Sequence, residues 1–167
     1  FYGNEVSFET PESSNPLYLD DNGVTIKAKD WAEAGMIGVI NGVDYTIADL
    51  QFFYNFNWAA NNVPICTSLV EGYLGFDNSY WQSFAGEYLS NVDIGNWDVS
   101  NFYDMSNMFA GATQFNQDLS NWDVSNVHIM QYMFSGISLN PNISNWDVSN
   151  VETMGGMFDG RSFNQDI

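Results

Sequence analysis

One hexapeptide, Asn-Trp-Asp-Val-Ser-Asn, occurs three times in this 167-residue chain and constrains its fold more than any other feature. The copies span residues 96–101, 121–126 and 145–150, so their offsets are 25 and 24 residues. The apolar residues that follow each copy recur in the same phase, as Met105, Met108 and Phe109; Met130, Met133 and Phe134; and Met154, Met157 and Phe158. Because one such unit cannot bury its own apolar face, the pattern predicts a stack of repeats that share a core.

The spacing of apolar residues suggests what each repeat contains. A period of 24–25 residues is typical of leucine-rich repeats, whose strand signature is L-x-x-L-x-L. Three triplets fit that signature: Ile94, Trp97 and Val99; Leu119, Trp122 and Val124; and Ile143, Trp146 and Val148. The apolar residues from Val127 to Ile137 then step by three or four, as on one face of a helix. The sequence therefore predicts an α/β solenoid, a leucine-rich-repeat-like stack of 24–25-residue strand-turn-helix repeats.

The first third of the chain has a different pattern. Two alternating runs, Leu17–Ile26 and Val39–Ile47, fold back at Asn-Gly and predict hairpins. Residues from Ala48 to about Ala60 have the apolar spacing of an amphipathic helix. We predict a small α+β cap over residues 1–63 and the repeat array over 64–167, beginning with a degenerate copy. The array stops where another Asn-Trp-Asp would begin, so we expect a piece of a longer protein.

The charge balance excludes several classes of partner. The chain has 21 Asp and Glu against three Lys and Arg, a net charge of −18. DNA and RNA are excluded, because nucleic-acid binding depends on Lys and Arg that displace counterions from phosphates. No window reaches the roughly 18 apolar residues of a membrane-spanning helix, so we expect no direct membrane insertion. Cys66 is the single cysteine, which rules out an intrachain disulfide.

These repeats resemble a known family. The pattern N-W-D-V-S-N-V-x-x-M-x-x-M-F-x-G-A-x-x-F-N-Q-D-L is similar to the repeat of BspA-type leucine-rich-repeat surface proteins of mycoplasmas and Bacteroidetes. Residues 17–49 and 64–167 carry the resemblance. It implies an extracellular or cell-surface location on the bacterial outer surface, with a role in adhesion or protein interaction and no catalysis. It names no ligand.

The aspartate of each hexapeptide is the most interesting candidate for binding. In a strand it faces away from the core. Neighbouring carboxylates about 4.8 Å apart would repel by roughly 3.5 kcal/mol at an effective dielectric near 20. Hydrogen bonds from neighbouring Asn and Ser side chains, the interpretation we favour, would relieve that repulsion, and bridging Ca2+ is the alternative. The predicted binding residues on a concave face are Asp98, Asp123, Asp147, Asn96, Asn121, Asn145, Ser100, Ser125 and Ser149.

Little in the sequence favours catalysis. No Ser-His-Asp spacing, phosphate-binding loop or zinc pattern is present, and a couple between Cys66 and the single histidine, His128, would have to span about two repeats. A glycoside hydrolase needs two carboxylates in different environments, whereas these aspartates recur identically. The three repeat tryptophans are in phase with the apolar signature, which predicts a core role rather than sugar stacking.

We therefore expect a non-enzymatic secreted or cell-surface recognition or adhesion module that binds a protein or glycan through the solenoid face. The alternative is a structural spacer, accessory subunit or passenger of a bacterial cell-envelope assembly. Because the outward hexapeptide residues are identical in all three copies, the sequence itself favours a spacer or a repetitive ligand. We expect no resident cofactor, with Ca2+ as the one metal left open.

Overall fold

The computed structural model describes residues 14–49, 51–52, 64–70, 72–73, 93–137 and 140–160. Its strands are short: β1 (Leu17–Leu19), β2 (Ile26–Ala28), β3 (Ile37–Ile40), β4 (Val43–Asp49), β5 (Ile65–Leu69), β6 (Gly72–Tyr73) and β7 (Phe102–Asp104). They form three small sheets, with the orders β1-β2, β3-β4-β5 and β6-β7. Turns and irregular segments make up most of the remaining described chain.

Both predicted hairpins are confirmed. β1 pairs antiparallel with β2, and β3 pairs antiparallel with β4. The β3–β4 connection is a two-residue turn in which Asn41 and Gly42 have φ values of 52° and 79°. Positive φ at both central residues is the requirement of a type I′ turn, which matches the twist of the flanking strands. The Asn-Gly dipeptide therefore fixes this hairpin locally.

The predicted helix from Ala48 to Ala60 begins later than expected. Ala48 and Asp49 are the end of β4, and helical conformation begins at Gln51. The Asp49 side chain accepts a hydrogen bond from the Phe52 amide at 2.7 Å, which is the geometry of an N-cap. Leu50 and residues 53–60 lie outside the described residues.

The N-terminal hairpins and β5 sit directly on the first repeat copy. The Ile26 amide donates to the Asn96 carbonyl at 3.1 Å, and the Thr67 hydroxyl donates to the Asp98 carbonyl at 2.9 Å. β6 pairs in parallel with β7, which directly follows the first hexapeptide. Ile65 also belongs to the same hydrophobic cluster as the repeat tryptophans. A separate hydrophobic cluster contains Leu17, Ile26, Ala32, Ile47 and Cys66, whereas Ala48, Ile65 and Val70 extend the core of the repeats into the N-terminal part.

The tryptophans form the centre of that core, as predicted. Trp97, Trp122 and Trp146 are buried, and their rings stack with centroids 6.5 and 6.4 Å apart and interplanar angles of 5° and 1°. Phe109 and Phe134 form a second column, with ring centroids 5.4 Å apart. Successive copies are thus in van der Waals contact through equivalent side chains.

The predicted helix of each repeat is wrong. The segment after the hexapeptide is a series of β-turns, in which Met108 and Ala110 donate to the carbonyls three residues before them. The amides between these positions donate to backbone carbonyls of the next copy instead. For example, the Met105 amide donates to the Ile129 carbonyl at 2.8 Å. A positive φ of 60° at Asn107 interrupts any helix, because left-handed backbone does not continue a right-handed one.

The predicted strand on the hexapeptide is also wrong. The Trp97 amide donates to the Ile94 carbonyl at 3.1 Å, which closes a turn where a strand was expected. Extended pairing comes several residues later, as parallel bridges that link Asp104 to Ile129 and Ile129 to Thr153. The described repeats contain no helix, and they are mostly turns with short β pairing. The α/β strand-turn-helix solenoid of the leucine-rich-repeat type is therefore incorrect for this chain.

The described ranges contain no helix with the length and hydrophobicity that a bilayer crossing requires.

Candidate functional site

The three predicted aspartates each close a local turn with the serine two residues later. Asp98 Oδ1 accepts hydrogen bonds from the amide and hydroxyl of Ser100, at 3.2 and 2.6 Å. The same carboxylate oxygen accepts the same two bonds in the second copy, at 3.1 and 2.6 Å, and an amide bond of 3.0 Å in the third. These pairs are Asp123 with Ser125 and Asp147 with Ser149. Each carboxylate thus accepts hydrogen bonds from the serine of its own copy, which is the serine part of the arrangement favoured from the sequence.

The three aspartates do not form one open surface. Asp98 is 4% exposed beneath the N-terminal part, whereas Asp123 and Asp147 are exposed. Hydrogen bonds from the hydroxyl and amide of Ser149 lower the pKa of Asp147. Among the residues described, no group of three or more His, Cys, Asp or Glu side chains is placed to hold a metal ion.

A lysine of the N-terminal part lies close to the buried aspartate. Burial opposes the charge of Lys27, but the hydrogen bond to Asp20 and the negative charge of Asp98 outweigh it, so the pKa of Lys27 is raised. Its Nζ is 3.1 Å from the Asp20 carboxylate. The negative charge of the first repeat aspartate therefore favours the charged form of this lysine.

The predicted asparagines lie elsewhere than beside the aspartates. Asn96 donates to the Tyr45 hydroxyl at 3.4 Å, while Asn121 and Asn145 are exposed. Sequence reasoning missed the last asparagine of each hexapeptide, which donates to a serine carbonyl in the unit before it, at 3.1, 2.8 and 2.7 Å. These pairs are Asn101 with Ser68, Asn126 with Ser100, and Asn150 with Ser125. Their presence at one position in all three copies was the available signal.

A polar cleft lies between the first hairpin and the first two copies. It has a volume of about 480 Å³, and its lining residues are Val24, Asp93, Gly95, Asn96, Gln117, Asp118 and Asn121. Two of the predicted residues, Asn96 and Asn121, therefore meet in one concavity. Asp93 and Asp118 are one period apart and were not predicted, because they precede the hexapeptide.

Local turns hold the two cleft carboxylates in place. Asp93 Oδ1 accepts the Gly95 amide at 3.0 Å, and Asp118 Oδ1 accepts the Ser120 amide at 3.0 Å. Hydrogen bonds from the amide and hydroxyl of Ser120 lower the pKa of Asp118, so this carboxylate is charged at neutral pH. The cleft therefore presents oriented negative oxygens beside side-chain amides.

The charge of Asp93 reaches a neighbouring tyrosine. The pKa of Tyr45 is raised, mainly by burial and to a smaller extent by the negative charge of Asp93. Together these two effects are larger than that of the Asn96 hydrogen bond, which lowers the pKa. The tyrosine hydroxyl thus stays neutral and anchors Asn96 at the cleft wall. Carboxylate acceptors beside amide donors suit hydroxyl groups or the cationic ends of Lys and Arg side chains.

Residues 78–167 match the model of a family described as mycoplasma protein of unknown function, DUF285. The chain belongs to this family. DUF285 members are typically surface-associated, in agreement with the surface location expected from the sequence. No curated protein and no solved structure matches the chain. The DUF285 match includes all three hexapeptides and the cleft residues Asp93 and Asp118, while the described N-terminal strands β1 to β6 precede it.

The two side chains considered for nucleophilic catalysis have separate surroundings in this DUF285 protein. Cys66 is buried, and its Sγ lies 3.4 Å from the Ile26 carbonyl and 3.3 Å from the Ser68 hydroxyl. Burial raises the pKa of the Cys66 thiol, which disfavours the reactive thiolate. His128 stacks on Tyr103 with ring centroids 4.4 Å apart. This stack places the half-buried His128 against Tyr103 of the preceding copy.

Proposed function

We propose that the chain is a non-enzymatic recognition module at the bacterial cell surface, and that the polar cleft binds its partner. The convergence of Asp93 and Asp118 with Asn96 and Asn121 in one concavity of about 480 Å³ carries this proposal. The surface association typical of the family supports the location. The resemblance to BspA-type repeats supports adhesion as the biological role.

Electrostatics favours a protein partner with exposed lysine or arginine side chains over a neutral glycan. Each cleft carboxylate has one oxygen occupied by a turn amide, which fixes the direction of the group. The net charge of −18 adds a long-range attraction for basic surfaces, which accelerates encounter and is screened by salt. A glycan would instead use the amide and carboxylate groups as hydrogen-bond partners, with little dependence on salt.

Binding of two probe sets to the immobilised chain tests this function. The probes are peptides rich in Lys and Arg and neutral oligosaccharides, each measured at several salt concentrations. Asp118→Asn removes one cleft charge but keeps the oxygen that accepts the Ser120 amide. Asp123→Asn is the matched control, because it makes the same change in the same kind of turn at an exposed position outside the cleft lining.

We expect Asp118→Asn to weaken peptide binding about tenfold, equivalent to about 1.4 kcal/mol, and to reduce its dependence on salt. Asp123→Asn should leave both unchanged. If both substitutions weaken peptide binding equally, the binding depends only on the net charge of the chain, and a role for the cleft is contradicted. Binding of oligosaccharides but not peptides, with the same sensitivity to Asp118→Asn, would identify a glycan partner.

A structural role in a cell-envelope assembly is the second candidate. It is supported by the Asp-Ser turns of the hexapeptides, whose polar groups are used within each copy. A spacer requires the stacked core and no ligand. Absence of binding by either probe set, together with unchanged surface assembly of the Asp93→Asn, Asp118→Asn double variant, would favour this role.

A further inference from the structure

The turns that follow each hexapeptide present side chains that differ from copy to copy. We call this surface the turn face and define it by the outward side chains of residues 103–110, 128–135 and 152–159. The inward methionines and phenylalanines of these turns recur in every copy, as does the hexapeptide. Side chains that maintain the stack are therefore constant, whereas outward positions vary. Two of these positions hold Tyr103, His128 and Glu152, and Asn107, Tyr132 and Gly156.

Tyr132 occupies a backbone position that does not favour tyrosine. Its φ is 54°, and the equivalent Asn107 and Gly156 have φ values of 60° and 65°. Asparagine and glycine adopt this left-handed conformation readily, whereas a bulky side chain is disfavoured there. The ring is also 47% exposed, so the core does not require it. A strained backbone that carries an exposed side chain is a feature of binding sites.

Gly156 places the tyrosine ring beside a carboxylate. A Cβ on Gly156 would overlap two carbons of the Tyr132 ring, so the ring lies against the backbone of the third copy. The same Cβ would be 3.0 Å from Asp159 Oδ2. The ring and the carboxylate are therefore neighbours at Gly156, and both side chains are exposed. The equivalents of Asp159 in the first two copies are Ala110 and Ser135, so only this junction has the pair.

An exposed aromatic ring beside a carboxylate is complementary to a guanidinium group. The ring attracts a cation to its face, and the carboxylate accepts two parallel hydrogen bonds from arginine. Arginine fits better than lysine, because its planar group stacks on a ring while its N–H groups reach a carboxylate. The net charge of −18 attracts basic partners and opposes contact with a second copy of the chain.

We propose that the turn face binds an arginine side chain of a partner protein, with the guanidinium stacked on Tyr132 and hydrogen-bonded to Asp159. The stacked pair of Tyr103 and His128 belongs to the same face, and Glu152 follows at the next equivalent position. Variation between copies gives this face one distinct position, which the identical hexapeptides do not offer. The inference does not depend on the proposed function of the cleft, whose lining contains none of these residues.

NMR titration of the full chain with three peptides tests the proposal. The peptides share one Gly-Ser sequence and carry at its centre arginine, lysine or citrulline, which has a shape similar to that of arginine without its charge. Amide shifts of Gly156 and Asp159 report binding at the turn face, and those of Gly95 and Ser120 report binding at the cleft. The two proposed sites are therefore assessed separately in one titration.

The variants introduce residues that the chain already has at equivalent positions. Tyr132→Asn supplies the residue of the first copy, and Asp159→Ser supplies that of the second, so both suit the backbone. We expect each to weaken binding of the arginine peptide about threefold, as for an exposed cation–π contact or ion pair. Tyr18→Asn and Asp44→Ser remove an exposed tyrosine and an exposed carboxylate of the N-terminal part, and should leave this binding unchanged. Thermal unfolding of each variant checks that the fold is kept.

The proposal is overturned if the arginine peptide does not shift the amides of Gly156 and Asp159, or if Tyr132→Asn and Tyr18→Asn bind it equally well. Equal affinity for the arginine and lysine peptides would show that charge alone is recognised and would contradict the stacked arrangement. A neutral oligosaccharide is titrated in parallel. If it shifts the Gly156 amide and the arginine peptide does not, the turn face binds a glycan and the proposal is wrong.

Discussion

Two adjacent glycines of the third copy provide a stringent test of how the copies pack. Gly156 has a φ of 65°, and a Cβ at this position would lie 2.3 and 2.4 Å from two ring carbons of Tyr132. Gly155 has no heavy atom within 4 Å of an added Cβ and no positive φ. The same change of glycine to alanine should therefore have opposite effects at neighbouring positions.

Gly156→Ala is expected to destabilise the fold through two contributions. Left-handed backbone costs a residue with a side chain about 1–2 kcal/mol. The Tyr132 ring, which is 47% exposed, must also move away and lose burial worth about 1 kcal/mol. The sum of about 2–3 kcal/mol corresponds to a decrease in Tm of roughly 4–12 °C for a chain of this size. Gly155→Ala should instead stabilise the fold by about 0.4–1 kcal/mol, because alanine restricts the unfolded chain.

Thermal unfolding followed by circular dichroism measures both variants. A double-mutant cycle with Tyr132→Ala separates the two contributions, since removing the ring should leave only the backbone cost of about 1–2 kcal/mol. The reasoning is refuted if Gly156→Ala melts at the same temperature as Gly155→Ala, or if Tyr132→Ala leaves the cost of Gly156→Ala unchanged.

Two further predictions concern the core and the acidic turns. Trp122→Phe removes the indole that donates to the Ile94 carbonyl at 2.9 Å, so urea unfolding should show a decrease of about 1–3 kcal/mol in the free energy of unfolding. The control, Trp31→Phe at a half-exposed position, should change that free energy by less than about 0.5 kcal/mol. Equal decreases for the two variants would contradict the stacked core. Ser149→Ala removes one of the two hydrogen bonds that lower the pKa of Asp147, so NMR titration of this carboxylate should shift to higher pH. Because the pKa of Asp147 is lowered in the folded chain, any stability that this turn contributes is present above the ordinary carboxylate range and is lost as pH falls through the folded pKa. Ser149→Ala should therefore make the free energy of unfolding depend less on pH in this acid range. Ser120→Ala is the control, since it should move Asp118 and leave Asp147 unchanged.

Features fixed by local chemistry or by exact periodicity were predictable from the sequence. Asn41 and Gly42 specify a turn that few other dipeptides allow, and the hairpin formed as predicted. The tryptophan column followed from the recurrence of one large apolar residue at each period. In both cases the information lies within a few residues or in the repeat itself.

The helix prediction failed because two backbone arrangements produce the same apolar spacing. Successive turns bring Met105, Met108 and Phe109 into the core, as one helical face would. The difference lies in whether amides bond within the segment or to the next copy. It depends on left-handed backbone at equivalent positions occupied by Asn107, Tyr132 and Gly156, and tyrosine gives no sequence indication of that conformation.

The cleft was only partly predictable, because it needs contacts between distant parts of the chain. Asn96 and Asn121 were predicted because they belong to the repeated hexapeptide. Asp93 and Asp118 precede the hexapeptide and were therefore not predicted. Val24 reaches the cleft because the Ile26 amide binds the Asn96 carbonyl, a contact across 70 residues of sequence that no local pattern specifies. The division into a cap over residues 1–63 and an array over 64–167 stays a prediction.

The exchange of amide and carbonyl bonds between neighbouring copies has a consequence for how the chain can change in length. Removing residues 121–144 would bring Asn145 to the place of Asn121, so that the first copy would still meet amides and carbonyls in the right order. Removing half as many residues would set donors opposite the wrong groups along the whole junction. Apart from the one-residue difference between the offsets of 25 and 24, we therefore expect insertions and deletions to be tolerated as complete copies, so that related chains differ in size by multiples of about 24–25 residues.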